Sequence, residues 1–416
     1  MKQKNMMYMV ICIFIISCTQ PNKQVAKNDQ AVSTNLVIST VKSNKDLPII
    51  DIDNVSNYTK WIYLSSVFKH VKTVILETRK DVLIGSVNSI QVYKDSIFIL
   101  DRTSSKGLFL FNKEGHFLKR YGNIGRGPGE YTMPSDFTLN LKDRIVYILD
   151  AQTQNILMYN LNTGDFIKNI HIRDGRFKSF NIQYVDNKIF ADAYYYSTKE
   201  NPSLLQEINI STGERTTKWL PAKLYNKNYS KLSLSGENVF YDRTQKSPKF
   251  IQFFMDTIIS ITHKEVMPFL AIKSDKLLKE ADLKEILSKG DDNLTLNLFK
   301  SGLVHHISEF VTYKNRVYFT YRHGFEFWRC LFNTKTKNIQ IVSSMIDDLI
   351  YNDIHKSIRP RFCTSNEDGM YSYIDPVEMD QFLKLVQENK LNRNLDKFDK
   401  IKQLSLDSNP IIFIYN

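Results

Sequence analysis

SIFILD at residues 96–101, followed by LFLFNKEGHFLK at 108–119, is the stretch on which the fold turns, because the chain repeats it. IVYILD at 145–150 precedes ILMYNLNTGDFIK at 156–168, and KIFADAYY at 188–195 precedes LLQEINISTGERTT at 204–217. Gly115, Gly164 and Gly213 recur every 49 residues, and the same interval separates Asp101 from Asp150. A fixed period of this length marks a repeat architecture, in which each unit buries its faces only against its neighbours. Each unit has two short strands around a turn, and the strand cores are apolar at consecutive positions. A strand with one wet face alternates in polarity, whereas a continuous apolar run has both faces covered. No helical pattern lies between these strands, so the cover must be other sheets, packed radially as the blades of a β-propeller. NKEG and NTG place Asn, Thr and Gly where a hairpin needs left-handed backbone.

The second half follows this scheme less regularly. FIQFFMDTIISIT (250–262) reads as the outer hairpin of a fourth unit, RVYFTY (316–321) with residues 328–342 as a fifth, and residues 361–373 with PIIFIY (410–415) as a sixth. Two helical insertions interrupt the strands. They are DKLLKEADLKEILS (275–288) and PVEMDQFLKLVQEN (376–389), where Met379, Phe382, Leu383 and Val386 form an apolar stripe expected to dock onto the propeller. VKTVILE (71–77) is a strand ahead of the first repeat, and it is expected to pair with 410–415 and close the ring. The expectation is an all-β, six-bladed propeller over residues 48–416 with two short helical insertions.

Five motifs occur in order: LSSVFKHVKTVILET (64–78), LIGSVNSIQVYKDSIFILD (83–101), YGNIGRGPGEY (121–131), DTIISI (256–261) and NPIIFIY (409–415). Their succession resembles the six-bladed β-propeller lipoproteins of Bacteroidetes, distant relatives of NHL-repeat propellers. The resemblance spans about residues 50–416 and implies fold and lipoprotein status. It brings no catalytic residues. Ile259 stands where that family usually has Tyr, and the fifth and sixth units are worn.

The N-terminus carries an address. Lys2 and Lys4 precede an uncharged stretch from Met6 to Ile16, too short to span a bilayer at about 1.5 Å per helical residue, and so a signal-peptide core. The string Ile15-Ile16-Ser17-Cys18 resembles the lipobox of bacterial lipoproteins, which implies a signal peptide over 1–17 and lipidation of Cys18. Acyl chains contribute roughly 0.8 kcal/mol per buried methylene, so several chains on Cys18 would hold the protein on a membrane. Residues 18–47 are polar and patternless, as a flexible tether would be. Surface-exported lipoproteins of Bacteroidetes usually carry an acidic cluster after the Cys. Thr19-Gln20-Pro21-Asn22-Lys23 stands here instead, which favours an outer-membrane anchor facing the periplasm.

The 416 residues are 42% hydrophobic and 24% charged, with 15 Gly and 11 Pro, a balance that excludes wholesale disorder, collagen and coiled coil. Aromatics reach 12%, which leans toward β-structure. The net charge is +12; without Lys2 and Lys4 there remain 54 Lys and Arg against 44 Asp and Glu, or +10. The lysines are scattered and form no basic helix, so anionic lipid, glycan or peptide is expected in place of nucleic acid. After export, Cys330 and Cys363 are the thiols left to the folded part; they allow one disulfide or two buried small hydrophobes.

Candidate chemistry is thin. GNIGRGPGEY strings Gly122, Gly125, Gly127 and Gly129 around Arg126 and Glu130; it reads as an anion-cradling loop or as a tight blade-to-blade crossover. Asp101 and Asp150 end equivalent inner strands, either as paired carboxylates or as turn caps. His305 and His306 are adjacent, so in a strand their rings face opposite ways and share no metal; no metal or other cofactor is expected. Tyr194 and Tyr196, with Trp219, read as a sugar- or peptide-gripping set or as outer-strand packing. The pattern favours a lipid-anchored, non-catalytic propeller binding a peptide, glycan or envelope protein at its loop-lined mouth. An enzyme, lyase or hydrolase, with polar residues converging in the central channel is the alternative; a structural subunit of an envelope complex is a third.

Overall fold

The computed structural model describes residues 37–38, 46–54, 58–173, 178–193, 203–221, 238–252, 255–262, 264–288 and 294–416. Six antiparallel sheets form a six-bladed β-propeller. Blade 1 comprises Ser89–Tyr93, Ser96–Asp101, Gly107–Asn112 and Phe117–Tyr121, counted outward from the axis. Blade 2 spans 134–171, blade 3 spans 182–221, blade 4 spans 240–273 and blade 5 spans 304–346. The repeated pairs are therefore the second and third strands of each blade. Asp101 and Asp150 end second strands, not inner ones, and 250–262 is the middle of blade 4, whose outer strand is Val266–Lys273.

The continuous apolar runs are covered on both sides, as their pattern requires. In the second strand of blade 1, Ile97 and Ile99 pack toward Ile412 and Ile414 of blade 6, while Phe98 and Leu100 pack toward Phe137 and Ile148 of blade 2. Each such side chain, fully buried, contributes about 1.5–3 kcal/mol.

Ring closure joins the two ends of the chain. Blade 6 comprises Thr364–Asn366, Gly369–Ile374, Ile411–Tyr415 and, outermost, Val71–Ile75, with Ile411 opposite Ile75 and Tyr415 opposite Val71 in antiparallel register. The segment before this strand runs around the outside of the preceding blades. Val37–Ile38, Ile49–Asp51 and Tyr58–Tyr63 each add a parallel fifth strand, to blades 3, 4 and 5 in turn. The described part of the expected tether thus holds an edge strand at Val37–Ile38.

Both helical insertions lie on one face. Strand alternation brings the blade-to-blade crossovers and the turns between second and third strands out at the same end of the propeller, here called the entry face. Helices α1 (Glu280–Ser288) and α2 (Leu294–Lys300) occupy the crossover from blade 4 to blade 5; α3 (Met379–Gln387) and α4 (Phe398–Ile401) occupy the second turn of blade 6. The stripe on α3 docks inward as expected, with Met379, Phe382 and also Leu385 buried and Phe382 packed 6.4 Å from Phe413. Among the described residues no helix is long and apolar enough to cross a membrane.

Candidate functional site

Blade 4 departs from its siblings at the axis. Its first two strands shrink to Phe240–Tyr241 and Lys249–Phe250, and the chain between them crosses the channel. Residues 242–245 touch the inner strands of all five other blades. Asp242 accepts from the Thr312 amide (3.1 Å) and hydroxyl (2.6 Å) of blade 5. Gln245 donates to Ser365 Oγ of blade 6 (3.2 Å), and Thr244 donates to the Val92 carbonyl of blade 1 (2.8 Å). Arg243 forms a two-pronged ion pair with Asp136 of blade 2 at 2.7 and 3.0 Å, and donates to Gln183 of blade 3 at 3.0 Å. The Arg243 and Asp136 side chains are 6% and 0% exposed. This plug divides the channel into two blind cups.

The cup on the entry face has a volume of about 340 Å³ and is walled by blades 1, 4, 5 and 6. Its wall from blade 5 is irregular. The first strand of that blade, Val304–Tyr313, slips register twice against its neighbour, and within it His306 (φ 59°) and Glu309 (φ 49°) take left-handed backbone. Bulges re-aim side chains, and non-glycine residues in this conformation inside a strand concentrate at functional sites. Both side chains line the cup. Burial pushes the Glu309 carboxyl above its ordinary pKa against the pull of Arg329 and Arg361, while Tyr318 donates to it at 3.2 Å. Burial likewise pushes Asp242 up to about 6, opposed by the Thr312 hydrogen bonds.

The rim is aromatic and cationic. The Arg322 guanidinium lies 3.5 Å from the Phe327 ring centre and 4.7 Å from that of Phe299 on α2. Phe327, which lines the cup, is 37% exposed, and Phe325, its ring centre 5.6 Å from that of Phe299, is 58% exposed. Arg361, from the approach to blade 6, donates to Glu378 at 2.6 Å; Glu378 belongs to the capping box ahead of α3, so the insertion sets this side chain. Stacked guanidinium and exposed rings suit a flat, polar ligand face, whether a sugar ring or a peptide bond.

The residues singled out from the sequence lie elsewhere. Arg126 is exposed on the crossover from blade 1 to blade 2, and the Glu130 carboxylate folds into its own glycine turn, accepting from the Gly127 amide at 2.8 Å. The loop is clamped from below by Tyr159 donating to the Gly129 carbonyl (2.9 Å) and Tyr131 to the Tyr121 carbonyl (2.9 Å). An internal carboxylate thus fills the glycine turn of this blade-to-blade crossover. Trp219 is on the outer strand of blade 3, donating to Glu207 at 2.9 Å and packed on the apolar layer between blades; it belongs to outer-strand packing. Tyr194, Tyr196 and Cys18 lie outside the described residues.

Asp101 and Asp150 are turn caps. Asp101 accepts from the amides of Gly85, Thr103, Ser104 and Ser105 at 2.8–3.1 Å, and Asp150 from those of Thr132 (2.8 Å) and Gln152 (3.0 Å). Burial raises the Asp101 pKa, but the amides of Ser105, Ser104 and Gly85 outweigh it and hold the carboxyl below its usual value. Asp192 caps the third unit in the same way, accepting from Phe180 and Asn181 at 2.8 Å. Cys330 and Cys363 are free thiols, which corrects the disulfide option. Cys330 is buried in the layer between blades 4 and 5, and Cys363 packs in the layer between blades 6 and 1. His305 points away from the cup and stacks on Phe299 (5.8 Å, 8°), and burial lowers its pKa to about 3. Among the described residues no group of three or more His, Cys, Asp or Glu gathers as a metal site.

Sequence reading passed over Arg243, Glu309, Arg322 and Arg361. One signal was present: RHGFEF (322–327) interrupts the repeat with a cation and two aromatics where the first two units have Asp-led caps.

The comparisons agree with this fold. A Bacteroides fragilis chain described as an exported protein is similar at 15% identity, with 91% of this chain and 99% of that one covered and a TM-score of 0.68. A member of the DUF4221 family from Bacteroides vulgatus is similar at 12% identity, over 83% and 98% of the two chains, with a TM-score of 0.50. No curated protein matches. A family model covers residues 47–416, and by that match the chain belongs to DUF4934, a domain of unknown function.

Proposed function

We propose that this protein is a lipid-anchored, non-catalytic propeller of the cell envelope that binds a peptide, glycan or partner protein at its entry-face mouth. The observation that carries the reading is the blind cup of about 340 Å³ lined by Arg322 and Phe327, with the Arg322 guanidinium against the Phe327 ring and near that of Phe299. A plugged channel leaves a concave, preformed pocket of the size that small ligand groups occupy. The lipobox-like string at Cys18 supports the anchor, and Thr19–Lys23, which lack an acidic cluster, support the periplasmic side of the outer membrane; the description of the Bacteroides fragilis protein as exported is in keeping with a place outside the cytoplasm.

The test is binding to arrays of envelope glycans and peptides, followed by titration calorimetry. Arg322→Ala with Phe327→Ala is expected to weaken the ligand by at least about tenfold while leaving the melting temperature unchanged. Unaltered affinity would remove the mouth from consideration. For the anchor, Cys18→Ala is expected to move the protein from the membrane to the soluble fraction.

A second reading is an enzyme, a lyase or hydrolase. It is favoured by Glu309 and His306 lining the same cup, the Glu309 carboxyl being held above its ordinary pKa by burial while Tyr318 donates to it at 3.2 Å from behind the wall. Turnover of the bound compound by the wild-type chain, lost in Glu309→Gln while affinity is kept, would assign the enzyme; binding with no turnover by the wild type assigns the binder.

A further inference from the structure

The opposite cup is built from one structural position used four times. The first hairpin turns of blades 1, 4, 5 and 6 deliver Tyr93-Lys94, Gln245-Lys246, Tyr313-Lys314 and Asn366-Glu367 to a cavity of about 510 Å³ below the plug. Three of the four turn residues are lysine and one is glutamate, and all four are exposed. None of the three lysines has a carboxylate partner among the described residues. Lys94 and Lys314 lean 5.5 and 4.7 Å over the rings of Tyr93 and Tyr313, which props their ammonium groups at the mouth.

The turns make lysine a costly choice at two of these places. Lys94 and Lys314 have φ of 49° and 53°, a left-handed conformation that costs an ordinary side chain about 1–2 kcal/mol and that Asn or Gly adopts more cheaply. Blade 3 uses the cheaper chemistry at its equivalent turn, with Asp186 and Asn187 at φ 41° and 67°. Solvated lysines tolerated for solubility would need neither this position nor convergence from three blades. Three unpaired lysines against the one carboxylate of Glu367 leave the concavity net positive, and an anion relieves that excess.

We infer that this second cup is a binding site for a multivalent oxyanion, of the phosphate or phosphate-ester class, with Lys94, Lys246 and Lys314 as its cationic rim. The site is independent of the entry-face mouth, because the plug separates the two. Phosphate could reach it from a soluble ligand or from a lipid headgroup.

The experiment titrates the purified chain with inorganic pyrophosphate at low ionic strength. Binding is expected, weakening as salt is added, and Lys94→Gln with Lys314→Gln is expected to reduce affinity by about tenfold or more. Arg322→Ala, at the other mouth, is expected to leave it unchanged. Co-sedimentation with phosphatidylcholine vesicles containing phosphatidic acid distinguishes the sources. Sedimentation that pyrophosphate competes away and the double variant lacks assigns a headgroup; pyrophosphate binding without sedimentation assigns a soluble ligand. Failure of the wild-type chain to bind pyrophosphate, or equal binding by the double variant, would overturn the site.

Discussion

Arg243 is the residue on which most of the axis depends, because one guanidinium serves two neighbouring blades while its backbone crosses the channel. Removing it strands Asp136 as an unpaired buried carboxylate, and breaking such a pair costs about 3–5 kcal/mol. Arg243→Ala is therefore expected to lower unfolding stability by that amount in urea titration, and adding Asp136→Asn should recover part of it. A loss below about 1 kcal/mol would mean that the plug is dispensable. Asp347 offers a pH test at the same scale. Burial pushes its carboxyl up to about 7, although Tyr415 donates to it at 2.5 Å and the Ile350 amide at 3.1 Å. The folded chain thus holds this proton to higher pH than the unfolded chain, whose carboxyl titrates near 3.8. Its contribution is most favourable below about pH 4 and is lost as pH rises toward 7. His305, lowered to about 3, acts in the opposite sense between pH 3 and 6.5. The difference between wild type and Asp347→Asn cancels that background, and wild-type stability relative to the variant should decline from pH 4 to 7. A pH-independent offset would refute the assignment.

Turns decide which elements could be read from sequence. Asn112, Asn160 and Asn209 each accept amides two to four residues on, and Gly115, Gly164 and Gly213 follow at φ 97°, 85° and 73°. Blade 5 builds the same turn with Asn333 but puts Lys337 at φ 61° in the glycine's place, so the repeat continues in space after it fades in sequence. A Cβ at Gly213 would run into the His171 carbonyl, so Gly213→Ala should destabilise by more than about 1 kcal/mol in thermal or chemical unfolding. Lys337→Gly, relieving left-handed strain, should cost nothing or stabilise slightly. Equal effects would show that the two turns are not equivalent. The middle strands were legible because both faces are apolar, and so was the stripe on α3. The inner strands were not. They line a polar channel, and in blade 4 only Phe240–Tyr241 and Lys249–Phe250 remain as strand, too short for any periodicity. The mouth stayed largely hidden for a related reason: His306, Glu309, Arg322 and Arg361 converge through bulges and crossovers, and only RHGFEF at 322–327 marks any of it in the sequence. The glycine-rich crossover drew attention instead, since its composition could not show that Glu130 fills its own cradle.

At the scale of the molecule, the propeller is a ring closed by one strand from ahead of the first blade, Val71–Ile75, and three from the last stretch of the fold. Val71–Ile75 completes blade 6 on Ile411–Tyr415, and Tyr415 reaches back to Asp347 in the crossover from blade 5. A ring has no free edge between blades only while this pairing holds; once open, blade 6 exposes an apolar face to blade 1 and another to blade 5. The last strand is buried along its whole length, with Ile411, Ile412 and Phe413 at most 1% exposed, and it separates two apolar layers. Deleting residues 410–416 should therefore abolish the cooperative transition of the whole propeller, since burial of five large side chains at about 1.5–3 kcal/mol each matches or exceeds the net stability of an ordinary domain. Deleting residues 1–45 removes only the edge strand at Val37–Ile38 among the described residues and should leave the melting temperature nearly unchanged. Calorimetry of the two truncations, with limited proteolysis across blades 1 to 3 as a second readout, tests closure directly. A C-terminal truncation that still melts cooperatively, with blades 1 to 3 protected, would show that the ring is stable when open and that its closing strand serves something other than stability.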